Sequence, residues 1–379
     1  MKQLHVVQSI AKDFGGLGTA ALQYAEISAI NGAEVELFVL ERPKSEMVME
    51  CSGSNLRIVT PERAGFISML LALKRQIFSN AYDVIHIHGT WTLGLAFASK
   101  LAAIRGIKVA VSPHGCLEPW ALAHKKWKKR IALFLYQKWV FKSANLIFAT
   151  AKQELESIRA LGVQTDIVVL PIGVDLPTLR PKIFDGFHRF LFLSRIHPIK
   201  GLINLIDAWS RVRRQGWKII IAGPDDMGHQ AQVFERIKLL GLEADFEFPG
   251  LVIGDKKSGL FESANIFILP THSENFGIVI AEALSYELPV ITTTGAPWRD
   301  LLESSCGWWV KPTIDGIAEA MILAMNLSHN NRLRMGQRGR ELVAKKYSRD
   351  LVGRSSADAY KWMIDPSPNI PAGIDRFKK

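Results

Sequence analysis

Residues 269–292 read LPTHSENFGIVIAEALSYELPVIT, and this stretch sets what to expect of the rest of the chain. The apolar run Ile266 to Leu269, ended by Pro270, has the character of a buried parallel strand, and a polar loop follows it. Ser273 can cap a helix whose apolar positions Ile278, Ala281, Ala283 and Leu284 include helical spacings. Gly277 would let a ligand approach the backbone closely, and the free N–H groups of Asn275, Phe276 and Gly277 would face an incoming anion. The unit is a strand, a loop and a helix.

Two carboxylates flank that helix start. Glu274 and Glu282 are eight residues apart, about 12 Å if the interval were wholly helical. That is too far for a close acid/base pair, and it suits a long ligand with hydroxyls at both ends and an anion between them. A sugar nucleotide has this layout. The competing reading makes Glu274 a helix-start acid and places Glu282 on a solvated face.

The wider composition narrows the classes. A chain of 379 residues should form two domains with full cores, and 48% hydrophobic against 22% charged residues is ordinary for a globular protein. The formal charge of +11 points to anionic partners, whether phosphates, nucleic acid or a membrane surface. Cys51, Cys116 and Cys306 are widely spaced, so neither a zinc site nor a disulfide framework is indicated, and a reducing cytoplasm fits. The first residues, MKQLHVVQSIAKDF, do not read as a signal peptide, and no apolar run is long enough to cross a bilayer. Membrane contact would then be peripheral.

Along the first half, strands are expected at Leu4 to Ser9, Val35 to Leu40, Arg57 to Thr60, Asp83 to His88, Lys108 to Ser112, Asn145 to Thr150 and Asp166 to Leu170, alternating with helices. This is the pattern of a parallel sheet covered on both faces, whose ligands gather at the carboxyl ends of strands. The turn Asp13, Phe14, Gly15, Gly16, Leu17, Gly18 lets backbone N–H groups approach a phosphate, but its spacing is not that of a dinucleotide fingerprint. His88, in DVIHIHGTW with Trp91, and His114, in VSPHGCLEPW, are expected at the rim of the sheet rather than in its core.

Trp120 to Lys142 carries Lys125, Lys126, Lys128, Lys129, Arg130, Lys138 and Lys142 with no acid, and Trp127, Ile131, Phe134 and Phe141 recur at roughly helical spacing. Such a helix can lie on an anionic bilayer or pack its aromatic side into the core. No nucleic-acid recognition motif accompanies it. In the second half, Arg195 and Lys200 stand on one loop before a helix near Gly201, a pairing that can hold a diphosphate. Pro224, Asp225 and Asp226 read as a turn, not as a metal-binding motif. The tail from Asp365 on reads as loose.

Glu274, seven residues and Glu282, the run SRIHPIKG at Ser194 to Gly201, and SPHGCLEPWAL at Ser112 to Leu122 resemble motifs of the retaining glycosyltransferases of family 4, with the GT-B fold, and in particular those of bacterial surface-polysaccharide assembly. The resemblance implies two facing Rossmann-like domains with an interdomain cleft: 1–172 on the acceptor side, 173–350 for the nucleotide-sugar donor, and a helix in 351–379 crossing back to the first. It assigns Arg195 and Lys200 to the leaving diphosphate and Gly16 to a backbone contact with it. It also places His114 beside the transferred sugar and Gly250 and Leu251 at the nucleotide base. Asn275, Phe276, Gly277, Ile278 and the two glutamates complete the donor site, with His88 and Trp91 on the acceptor side. Ile172 departs from the Asn common in the family. The implied reaction is hexosyl transfer from a UDP- or GDP-sugar to a saccharide or lipid-linked saccharide, with retention and with no metal or cofactor, peripheral on the inner face of the plasma membrane. The rivals are a nicotinamide-dependent oxidoreductase and a nonenzymatic anion- or membrane-binding protein.

Overall fold

The computed structural model describes residues 1–11, 16–41, 55–123, 126–180 and 186–377. The chain divides into two compact units, Met1–Gly173 with Arg349–Lys379, and Val174–Ser348. The strands are β1 (Lys2–Val7), β2 (Glu34–Val39), β3 (Leu56–Val59), β4 (Val84–His88), β5 (Lys108–Ser112), β6 (Leu146–Ala149), β7 (Ile167–Val169), β8 (His188–Leu193), β9 (Trp217–Ala222), β10 (Phe246–Gly250), β11 (Ile266–Leu269), β12 (Val290–Thr293), β13 (Gly307–Val310) and β14 (Ile374–Asp375).

In the first unit the sheet order is β14-β7-β6-β5-β4-β1-β2-β3, and in the second it is β10-β9-β8-β11-β12-β13. Both are doubly wound α/β sheets. The described strands pair in parallel except β14, which runs antiparallel to β7. The reason is visible in the residues: IFIL of β11 and IIIA within β9 are almost wholly buried, as strands covered on both faces must be. In each sheet the winding reverses direction once, between β1 and β4 in the first unit and between β8 and β11 in the second. The loops leaving the carboxyl ends of strands at such a reversal diverge and leave room for a ligand.

Two expectations need correction. The tail after Asp365 is tied down: β14 pairs with β7, Arg159 bridges to Asp375 at 2.7 Å, and the Phe377 N–H donates to Asp166. Ser273 does not cap the helix of the quoted stretch, which begins only at Ile278 with Gly277 as the preceding residue in left-handed backbone. The helix Arg349–Ile364 packs in the first unit, where Gly353 faces Asn31 and Ile27 so closely that a Cβ would collide with the Asn31 amide. Among the described residues no helix is long and apolar enough to cross a membrane.

Candidate active site

The second unit places several of its sequence-predicted charged residues at its winding reversal. After β8 the chain turns through Arg195 and a short 3-10 turn, Pro198–Lys200, to Gly201, whose φ is 72°. A Cβ there would strike the carbonyl of Pro270, just past β11, so glycine is required for the two loops to touch. The His272 N–H donates to the Ile199 carbonyl at 2.7 Å, and the Glu274 N–H to Gly295 at 2.8 Å. These bonds fix the loops after β8, β11 and β12 to one another.

On that frame Lys200 Nζ lies 2.5 Å from Glu274 Oε2, with side chains only 10% and 17% exposed. Arg195 pairs through Nη1 with Asp226. Asp226 belongs to the segment read from sequence as a plain turn. It steadies Arg195, while Asp225 accepts from the Gln230 N–H at the start of the next helix. Glu282 is met by Lys257 at 2.6 Å, a partner the spacing of the two glutamates could not reveal.

Around Glu274 the backbone differs from expectation in one respect. The Asn275 N–H is taken by Glu274 Oε1 at 3.2 Å, so it does not face outward for an anion. Gly277, at φ 77°, would bring a Cβ to 3.1 Å from Glu274 Cγ, and its carbonyl accepts from the Ile280 N–H at 2.8 Å as it opens the helix Ile278–Ser285, whose N–H groups before Ile280 have no acceptor within the helix. Trp298, wholly buried, donates its indole N–H to the Phe276 carbonyl at 2.5 Å and pins that turn. Asn275 Oδ1 is buried without a partner, an acceptor left for a ligand hydroxyl. Gly250 ends β10 at φ 73° with Leu251 exposed beyond it.

The first unit presents a different kind of site. His5 on β1 and His86 on β4 are register partners, and His88 follows two residues on, so the three rings share one face of the sheet. His88 is wholly buried, not at the rim as expected, because helix residues Tyr24 and Tyr360 cover that face. His5 and His86, which no motif singled out, are equally buried. Their signal in the sequence was a polar residue inside each of two apolar runs.

His5 Nδ1 meets His88 Nε2 at 2.9 Å, and His88 Nδ1 meets His114 Nε2 at 2.9 Å. His5 Nε2 lies 3.0 Å from Gln3 Oε1, while His86 bonds Tyr360 at 2.6 Å and Ser112 at 2.8 Å. Burial holds His5 and His114 down to about 3. It drives His86 and His88 well below the usual imidazole range, with the neighbouring rings adding to the effect. All four are therefore neutral near pH 7. Ring nitrogens of His5, His86 and His88 lie within 4.8 Å of one another, close enough to invite a metal ion. Every nitrogen of those three rings already has a hydrogen-bond partner, which accounts for their closeness without one.

His114 itself sits at the rim, in left-handed backbone at φ 52°. Glu154, buried, holds that turn by accepting from the Gly115 N–H at 2.6 Å and the Thr150 N–H at 2.7 Å. Trp91 is committed nearby, its indole N–H to the Cys116 carbonyl at 3.2 Å and its carbonyl to Tyr136 at 2.7 Å. Gly16 opens the helix Gly16–Ile30, exposed, with open space where a Cβ would lie. The rest of the expected glycine turn, residues 12–15, lies outside the described residues, as do Cys51 and Lys125.

The basic stretch resolves into the helices Pro119–Ala123, Lys126–Ala132 and Lys138–Ser143, the last two joined by a π turn. Its aromatic side does not pack inward until Val140 and Phe141. Trp127 is 64% and Phe134 82% exposed, beside Ile131, Leu135 and the basic side chains.

Comparison with known proteins places these features in a lineage. Residues 14–177 match the family model described as Glycosyltransferase Family 4, and residues 180–342 match Glycosyl transferases group 1. A phosphatidyl-myo-inositol mannosyltransferase of Mycobacterium leprae is 25% identical over 92% of this chain and 93% of its own. Among solved structures, a sucrose-phosphate synthase from Thermosynechococcus elongatus superposes with a TM-score of 0.81 at 16% identity, covering 97% of this chain and all of that one. The Anabaena HepE protein in complex with UDP-glucose gives 0.77 at 16% identity, over 95% and 99% of the two chains. With both sheets wound as described and the two models spanning both units, the chain belongs to the group 1 glycosyltransferases and has the GT-B fold.

Proposed function

We propose that this glycosyltransferase moves a hexosyl group from a UDP- or GDP-linked sugar to a saccharide or lipid-linked saccharide acceptor, with retention and without a metal, in surface-polysaccharide assembly. The observation that carries the reading is the Lys200–Glu274 pair at the second unit's winding reversal, beside the start of the helix Ile278–Ser285. Cleaving the bond from the anomeric carbon to the diphosphate oxygen builds negative charge on the leaving group, and fixed cations at that position act where charge develops. Lys200 has three N–H donors and spends one on Glu274, leaving two for phosphate oxygens. Arg195 spends Nη1 on Asp226 and keeps the rest of its fork. The acceptor oxygen forms the new bond on the face the diphosphate leaves, its proton passing to the departing phosphate oxygen.

Glu274 and Asn275 Oδ1 offer acceptors for hydroxyls of the bound sugar. On the first unit, His114 contacts substrate. His88, being buried, supports it from behind and does not touch the acceptor. The exposed aromatics among lysines fit docking on an anionic bilayer, where a lipid-linked acceptor would be met. The similarity to a phosphatidyl-myo-inositol mannosyltransferase supports a lipid-borne acceptor.

The direct test is thermal stability in the presence of UDP-glucose and GDP-mannose. A ligand at a hundredfold its Kd stabilises the native state by about 2.7 kcal/mol. One of the two is expected to raise Tm, and Arg195→Ala should abolish the rise. No rise with any nucleotide sugar would sink the reading.

A further inference from the structure

The hydrogen bonds of the histidine cluster have a direction. Gln3 is buried, its amide nitrogen faces Met1 Sδ at 3.6 Å, and its Oε1 faces His5 Nε2 at 3.0 Å. An amide oxygen only accepts, so His5 carries its proton on Nε2 and leaves Nδ1 bare. His88 must then donate through Nε2 to His5 Nδ1, which leaves His88 Nδ1 bare to accept from His114 Nε2. Each neutral ring has one N–H, so fixing the first fixes all three. The chain ends at His114 Nδ1, which is screened from solvent and has no partner. A buried polar atom left unpaired costs roughly 1–3 kcal/mol, and in a native protein it points to a missing partner.

We propose that Gln3, His5 and His88 are positioning residues that lock His114 in its Nε2–H tautomer, so that Nδ1 serves as a hydrogen-bond acceptor for a hydroxyl of the transferred sugar. The identity of the hydroxyl's owner rests on the transferase reading; the locked tautomer does not. The same geometry limits what His114 does. A proton taken up at Nδ1 could pass along the rings only as far as Gln3, whose amide does not hold it, and Gln3, His5 and His88 have at most 1% of their surface exposed. The chain sets the sense of a hydrogen bond and gives no proton route to solvent.

The test is long-range proton–nitrogen NMR on full-length protein labelled at histidine nitrogens, with His114→Gln assigning the signals. Free wild-type protein is expected to show His114 protonated on Nε2 with Nδ1 bare. Gln3→Met removes the only acceptor that sets the sense, and His5→Phe interrupts the chain. Each should lose the single-tautomer pattern at His114, a change that mere loss of packing would not produce. His114 protonated on Nδ1 in wild type, or the wild-type pattern kept in both variants, overturns the proposal; if both variants fail to fold, the wild-type tautomer decides alone. UDP-glucose or GDP-mannose, but not UDP or GDP, should then shift His114 Nδ1. With the tautomer confirmed, no shift from either sugar nucleotide overturns the hydroxyl assignment, whereas failure of both to stabilise the protein counts against the transferase reading.

Discussion

The two winding reversals solve different problems with different chemistry. At β8 and β11 the side chains are ionic, and each cation already has a carboxylate: Lys200 with Glu274, Arg195 with Asp226, Lys257 with Glu282. At β1 and β4 the groups are neutral imidazoles joined to one another, to an amide and to hydroxyls. Ionic groups on loops suit a diphosphate whose charge rises as it departs, while a neutral, solvent-screened acceptor suits a sugar hydroxyl. On the proposed function, the ionic groups are confined to the second unit's reversal, where Glu274 and Asn275 also offer acceptors to hydroxyls, and the first unit would add a neutral imidazole acceptor.

The comparison breaks first at Lys200. Replacing both members of the pair, as Lys200→Met with Glu274→Gln, removes two charges without stranding either in a mostly buried site. Turnover should fall by roughly 10²–10³, the size expected for loss of a preorganised charge-stabilising group. The fold should survive, as read by circular dichroism and Tm. A variant retaining turnover within a few-fold would show that the ionic reversal does not handle the leaving group.

The two sites were not equally legible in the sequence, for a physical reason. Lys200, Glu274 and Gly277 lie close to a strand end and a helix start, so short-range spacing exposes them. His5, His88 and Glu154 act together only after three strands and a helix are assembled, from positions far apart in the chain. Motif reading found His114 and His88 but placed the latter at the rim, because a strand's end does not say whether helices cap it. The partners Asp226 and Lys257 were missed likewise: an ion pair between loops depends on sheet order, which local pattern leaves open. The sheets themselves were plain from apolar runs, since covered strands cannot hide their composition.

A sharper contrast comes from pH. His5 and His114 are held at about 3 in the folded chain against an ordinary 6.5. Between those values the unfolded chain binds protons that the native one refuses, so stability is complete above about 6.5 and falls as pH drops toward 3. Each such histidine contributes a slope of up to about 1.4 kcal/mol per pH unit. Thermal unfolding at pH 7.5 and 5.5 should therefore show a marked loss at the lower pH, and His5→Phe should reduce it. A Tm flat across that interval would mean that the first unit's rings are not held neutral by burial.

A smaller effect separates the lipid-facing role from the chemistry. Phe134 is 82% exposed among basic side chains, so Phe134→Ala disturbs no core. If the ring enters the bilayer boundary, its loss should weaken binding to phosphatidylserine-containing vesicles by about tenfold, the worth of partly burying one aromatic side chain. Cosedimentation measures this, with Tm unchanged. Equal binding by wild type and variant would remove the aromatic part of the proposed docking.

The smallest change bears on whether the first unit helps to hold the diphosphate at all. Gly16 has open space around it and a backbone that other residues adopt, so neither packing nor φ explains a glycine there. Alanine at the head of the helix should leave stability unchanged or raise it by up to about 1 kcal/mol, since it restricts the unfolded chain and favours the helix. If a phosphate comes against the Gly16 backbone, the added methyl stands in its way, and Gly16→Ala should raise the KM for the sugar nucleotide several-fold while Tm holds or climbs. Those opposite movements separate a ligand role from a structural one. An unchanged KM would confine charge recognition to the second unit.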